Sequence, residues 1–135
     1  MVIKILKLII VIVCLTNISK ADKPIAVDTR IKTYYYSQNE VYPLVIHQGY
    51  QTIIEFGDDE DIEDISLGDS YSWSINSSDN RLILKPLEIN VHTNMTVITS
   101  LRTYHFDVYS KDTKKGFESE LVYVLRFYYP DSEGE

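Results

Sequence analysis

After residue 21 no stretch of the chain keeps a helical period over ten residues, whereas period-two alternation recurs. Tyr71, Trp73 and Ile75 alternate with Ser70, Ser72 and Ser74, and Tyr104, Phe106 and Val108 alternate with Thr103, His105 and Asp107. Successive strand side chains point to opposite faces, so each segment predicts one dry face and one wet face. Thr52, Ile54 and Phe56 form a third such set. Ile31 to Tyr36, Val41 to His47, Arg81 to Lys85 and Met95 to Thr99 read as further strands. Pro43 offers no N–H to a ladder, which places its strand at an edge or breaks it there. Leu121 to Tyr129 differs from the rest. Leu121, Tyr123, Leu125, Phe127 and Tyr129 fill one face, and Val122, Val124, Arg126 and Tyr128 fill the other. A strand apolar on both faces is central, or a partner covers its second face.

Turn chemistry separates these runs: Gly49, Gly57-Asp58-Asp59, Gly68-Asp69, Ser77 to Asn80, Asn90 to Asn94, and Asp112 to Gly116. Strands at such spacings predict an all-β fold of about eight mainly antiparallel strands, a β-sandwich or a barrel. With 135 residues, 44% of them apolar, one domain with one core is expected. The domain is placed at residues 28–130, with Trp73 in its core and Gly68 at a position that calls for positive φ. Residues 131–135 read as a polar acidic tail.

Residues 1–21 read as a cleavable secretory signal. Lys4 and Lys7 precede an unbroken apolar run from Leu8 to Leu15, too short for a spanning helix of roughly 20 residues. Ser19 and Ala21 supply the small residues of a cleavage site, leaving 22–27 as an N-terminal arm. Cleavage removes three lysines, no acid and Cys14, so the formal charge moves from −7 to −10 and no Cys remains. That suits an oxidising compartment without a disulfide. The acidic balance argues against nucleic-acid binding through a basic face.

The residues carry little catalytic or metal chemistry. His47, His92 and His105 are scattered, with no strand spacing that joins two of them, and His105 falls on a polar face. The run Asp58-Asp59-Glu60-Asp61-Ile62-Glu63-Asp64 lacks the Gly of a calcium loop and reads as a solvated turn, or as a contact for a basic partner. There is no Gly-x-Ser-x-Gly elbow and no phosphate-cradling glycine loop. No catalytic residue, cofactor or metal is assigned. Tyr34, Tyr35 and Tyr36 are consecutive, so at least one faces away from the core, and Tyr128-Tyr129 repeats the situation. Rings with polar tips suit interfaces and also serve as ordinary strand residues. Arg102 shares a strand face with Tyr104, where it caps that face or reaches a neighbouring subunit. The candidate subunit interface is therefore Tyr34, Tyr35, Tyr36, Arg102, Val122, Val124 and Tyr128.

The order of motifs resembles the N-terminal domain of the CagX/TrbG conjugal-transfer family, which includes the ninth VirB subunit of type IV secretion systems. The resemblance begins at Asp28-Thr29-Arg30-Ile31 with the tyrosine cluster and continues through Gly49-Tyr50-Gln51-Thr52-Ile53-Ile54-Glu55-Phe56. It then takes in Ile65-Ser66-Leu67-Gly68-Asp69-Ser70 with Trp73, and Leu82-Ile83-Leu84-Lys85-Pro86. Thr93-Asn94-Met95-Thr96-Val97-Ile98-Thr99 with Arg102-Thr103-Tyr104-His105-Phe106 is its most specific stretch, and Arg126-Phe127-Tyr128-Tyr129-Pro130 closes it. Thr93-Asn94 fits turn chemistry before a strand.

The resemblance implies a β-sandwich, and with it a periplasmic structural subunit of a ring-shaped core complex on the outer-membrane side of the envelope. It implies no enzyme activity, no cofactor and no small-molecule substrate. The implied partners are a TonB-like scaffold protein, other copies in a ring, and a full-length family member. Family members continue into a second β domain that contacts a lipoprotein; this chain stops after Glu135. It is expected to act as a shortened member through its inner-layer domain, so lipoprotein contact is not carried over. The alternative is a free-standing periplasmic binding module with the same sandwich, which predicts a concave pocket inside one monomer.

Overall fold

A computed structural model of the protein describes residues 27–130, together with residues 2 and 3. The expected signal at 1–21, apart from those two residues, most of the 22–27 arm and the 131–135 tail lie outside the described residues. The chain forms β1 (Ile31–Tyr35), β2 (Val41–His47), β3 (Thr52–Glu55), β4 (Ile62–Leu67), β5 (Trp73–Ser78), β6 (Arg81–Pro86), β7 (His92–Thr99) and β8 (Thr103–Lys111). A 3-10 turn, Phe117–Glu120, then leads to β9 (Val124–Tyr128).

The strands make two sheets, ordered β1-β9-β3-β6-β5 and β2-β8-β7-β4. Alternation dictates the inner faces. Ile54, Leu82, Leu84 and Leu125 of the first sheet share one core with Tyr42, Leu44, Ile46, Met95, Val97, Tyr104, Phe106 and Val108 of the second. Trp73 is buried there as expected, and Pro43 sits on β2, an edge strand.

Nine strands stand where about eight were expected. The addition is β4, whose Glu63, Asp64 and bulge between Ile62 and Asp64 interrupt the alternation that would have announced it. Four of the seven ladders are antiparallel, yet β9 runs parallel to both its neighbours, β1 and β3. The last described strand thus fills a slot in the middle of the first sheet, with its inner face on the core and its outer face uncovered.

Four local expectations are corrected. Tyr71 does not share the dry face of Trp73; β5 starts at Trp73, and Tyr71 stands 92% exposed in a bend where its N–H donates to Asp69 Oδ1. Thr93 and Asn94 lie inside β7, not in a turn before it. Gly68 is not a positive-φ position; that conformation belongs to Gly49, Gly116, Asp79 and Asn90. Gly68 is required instead by crowding, because a Cβ there would lie 2.6 Å from Asn94 Oδ1 and 2.8 Å from Thr93 Oγ1. Finally, the strand at 121–129 is shorter than its apolar run. Leu121 and Val122 precede β9, and both are buried, because the chain bends between the 3-10 turn and the strand.

Leu125→Ala, at a fully buried central position, is expected to cost about 3 kcal/mol in urea unfolding, whereas Tyr71→Ala is expected to stay within about 0.5 kcal/mol.

Candidate functional site: a buried carboxylate and an apolar outer row

Glu60 follows the turn that links β3 to β4, and its N–H donates to the Gly57 carbonyl. The turn folds the side chain inward, so Glu60 is only 1% exposed while Asp58, Asp59, Asp61, Glu63 and Asp64 stay in solvent. The acidic run is therefore solvated except at this one residue, which corrects the sequence expectation.

The carboxylate is met from every side. Gly57 N–H donates to Oε2 at 2.7 Å, and Thr99 Oγ1 donates to Oε1 at 2.8 Å. Tyr104 donates at 2.8 Å to Oε2; the Tyr129 hydroxyl lies 3.1 Å from the same oxygen and 2.7 Å from the Tyr104 oxygen. Arg102 Nη1 closes the group at 3.1 Å from Oε2, as an ion pair rather than an aligned hydrogen bond. Gly57 is needed for this packing, since a Cβ there would lie 2.5 Å from Glu60 Oε2. Burial pushes the Glu60 carboxyl upward, but the bonds from Thr99, Tyr104, Gly57 and Tyr129 outweigh it and leave the pKa below the ordinary 4.5. Burial, reinforced by the neighbouring Glu60, raises the phenols of Tyr104 and Tyr129. For Arg102, burial pulls downward and the Glu60 charge more than restores it. The group is a set of neutral donors around one anion and one cation, an arrangement that holds a fold together.

Arg102 thus caps a face within its own chain. Its guanidinium lies 4.0 Å from the centre of the Tyr129 ring and 5.6 Å from that of Tyr36. The side chain remains 23% exposed and lies between two surface clefts of about 620 and 420 Å³. The first is bordered by Tyr36, Asn39, Ser100 and His105, the second by Glu55, Asp59 and Arg126.

The other interface candidates separate into three groups. Tyr34 and Tyr36 point into the seam between the sheets. Tyr34 stacks on Tyr42 and donates to the Pro43 carbonyl, and Tyr36 packs on Tyr104 and donates to the Thr103 carbonyl. Val122 is 7% exposed and belongs to the core, and its carbonyl accepts the Thr52 hydroxyl; its expected outward position is corrected. Tyr35, Val124 and Tyr128 lie on the outer face of the first sheet, Val124 at one end of β9 and the two tyrosines at the other. Tyr35 is 72% exposed and meets the Tyr128 ring edge-on at 5.3 Å.

Register extends that outer face in a way the sequence did not announce. Ile31 lies beside Val124, Val124 beside Ile53, and Ile53 beside Ile83, so one apolar row crosses β1, β9, β3 and β6. None of the four is buried. Arg126 and Arg81 border the row, both paired with Glu55. The signal was present as apolar residues on both faces of Thr52-Ile53-Ile54-Glu55 and Leu82-Ile83-Leu84, but only strand order shows that they align. Among the described residues, no group of three His, Cys, Asp or Glu could hold a metal. His47 is buried against Glu120, His92 faces Asp107, and His105 contacts Thr96.

Glu60→Gln replaces an acceptor by a group that also donates, among donors that then lack a partner. It is expected to cost about 3 kcal/mol in urea unfolding at neutral pH. Because the folded carboxyl is held below its ordinary pKa, its stabilisation is complete above about pH 4.5 and is lost as pH falls through the lowered value. The acid limb of wild-type stability is accordingly expected to be steeper than that of Glu60→Gln.

Comparison with known proteins places this geometry. The type IV secretion system protein virB9 of Bartonella henselae is 26% identical over 111 residues, which cover 78% of this chain and 38% of the relative. The virB9 protein of Bartonella quintana gives the same identity and coverage. The chain thus spans less than two fifths of the length of these curated relatives. Residues 29–135 match the family described as CagX, conjugal transfer protein, and that span takes in every strand, the Glu60 cluster and the outer row. The chain belongs to the CagX conjugal transfer protein family.

Proposed function

We propose that the protein is a structural subunit of the periplasmic and outer-membrane core complex of a type IV secretion system, exported by its N-terminal segment. It engages the complex through the β domain at residues 28–130, in the inner layer of the ring. The observation that carries this reading is the apolar row Ile31–Val124–Ile53–Ile83, on a sheet whose other face already holds the core. A contiguous apolar strip rimmed by charged residues suits a protein surface. The similarity to the Bartonella virB9 proteins supports the system, and the donor-saturated Glu60 cluster supports a structural rather than a catalytic role. The partners are a TonB-like scaffold subunit and other family members in the same ring. No cofactor and no small-molecule substrate enter this role.

The test is co-purification from cells that carry the secretion system. Wild type is expected to recover a core-complex scaffold subunit. Ile53→Lys and Val124→Lys, at positions that are not fully buried, are expected to lower recovery at least about tenfold while keeping the folded spectrum. Recovery of a clean monomer with no such partner overturns the reading.

A further inference from the structure

The Glu60 cluster leaves part of Arg102 unused. Four neutral donors, from Gly57, Thr99, Tyr104 and Tyr129, already meet the Glu60 carboxylate at 2.7–3.1 Å. Arg102 adds Nη1 alone, at 3.1 Å from Oε2. Among the described residues its Nε and Nη2 donate to no acceptor, and neither belongs to the buried unpaired atoms, so both reach the surface. These two nitrogens form the side edge of the guanidinium, whose parallel N–H groups match the two oxygens of a carboxylate. The edge is held in place, because Nη1 is tied to Glu60 and the group lies 4.0 Å from the centre of the Tyr129 ring and 5.6 Å from that of Tyr36. A donor edge fixed before binding avoids the ordering cost of a free side chain.

Arg102 borders two clefts, and their linings differ in charge. The cleft of about 420 Å³ carries Glu55, Asp58 and Asp59, which repel an anion. The cleft of about 620 Å³ is lined by Tyr36, Gln38, Asn39, His105 and the 99–103 segment, with no acid among them. Its size lies in the range of ligand clefts, about 300–1,000 Å³. Gln38 and Asn39 are exposed, and their side-chain amides have no hydrogen-bond partner among the described residues. Each amide offers a donor and an acceptor, the complement of a peptide backbone. Leu101, 56% exposed, adds an apolar contact to the same cleft. The net charge of −7 opposes the distant approach of an anion, but salt screens it beyond about 8 Å, and at contact the acid-free lining decides.

We propose that the larger cleft receives an acidic peptide segment of a partner protein, with a Glu or Asp carboxylate seated on the Nε–Nη2 edge of Arg102. Gln38 and Asn39 pair with the backbone of that segment, and Leu101 meets an apolar neighbour of the acid. A free small carboxylate would fill only the Arg102 end of the cleft and leave both amides and Leu101 without a role. Arg102 thus has two duties: one nitrogen holds Glu60 inside, and the opposite edge faces a partner. None of the four residues of the apolar row lines this cleft, so the site and the core-complex reading can fail separately.

The experiment is an NMR titration of the full chain, expressed from its first residue and purified in the form the host leaves, read at the Arg102 Nε–H signal. The probes are acetyl-Gly-Glu-Leu-Glu-Gly-amide, its counterpart with Gln at both Glu positions, and sodium acetate. The Glu peptide is expected to shift the signal with a Kd of about 0.1–1 mM, and the Gln peptide and acetate to bind at least about tenfold more weakly. The double variant Gln38→Glu/Asn39→Glu, at exposed positions outside the Glu60 cluster, is expected to weaken the Glu peptide about tenfold while leaving urea unfolding unchanged. Absence of a shift with the Glu peptide overturns the proposal. So does equal binding of the Gln peptide or of acetate, and so does a double variant that binds as wild type does.

Discussion

The Glu60 carboxylate is the interaction around which the two sheets are arranged. It joins the β3–β4 turn to Thr99 at the end of β7, to Arg102 and Tyr104 at the start of β8, and to Tyr129 just past β9. One anion thus ties the last strand of the first sheet to the central strands of the second. A buried charge is tolerated only when its lone pairs and its counter-charge are both supplied, and here they are. Since each donor comes from a distant part of the sequence, the cluster can form only when both sheets are in register. It therefore specifies one arrangement of the sandwich rather than simply adding to its stability.

The same constraint bears on assembly order. β9 must insert between β1 and β3, parallel to both, after β1 to β8 have all been made. Non-local parallel pairing carries a large loop-closure cost before any contact rewards it. Tyr129, attached to the end of that strand, brings its hydroxyl to Glu60 and its ring to Arg102. The polar cluster and the aromatic seam of Tyr36, Tyr104 and Phe127 close together. What remains outside is the other face of the first sheet, with its apolar row.

Strand content was legible in particular residues. Alternation at Tyr104-Phe106-Val108 and at Thr52-Ile54-Phe56 placed the core faces correctly, and Pro43 marked an edge. Of the candidate interface residues, Tyr35, Val124 and Tyr128 lie on the outer face of the first sheet, whereas Val122 packs inward and Tyr34, Tyr36 and Arg102 make contacts within the chain. The inward turn of Glu60 was hidden, because its neighbours in sequence are acids that remain in water. Only the glycine three residues earlier marked the turn that buries it.

By itself the sequence determined an all-β chain, its dry faces, its acidity and its kinship, because periodicity, charge and motif order are local or additive properties. Tertiary structure alone decided that β9 is central and parallel, that one acid of seven consecutive polar-rich positions is buried, and that four isoleucine and valine side chains align across four strands. Those outcomes depend on which strands become neighbours and in what register. Register is set by long-range burial and hydrogen bonding, which no local run of residues encodes.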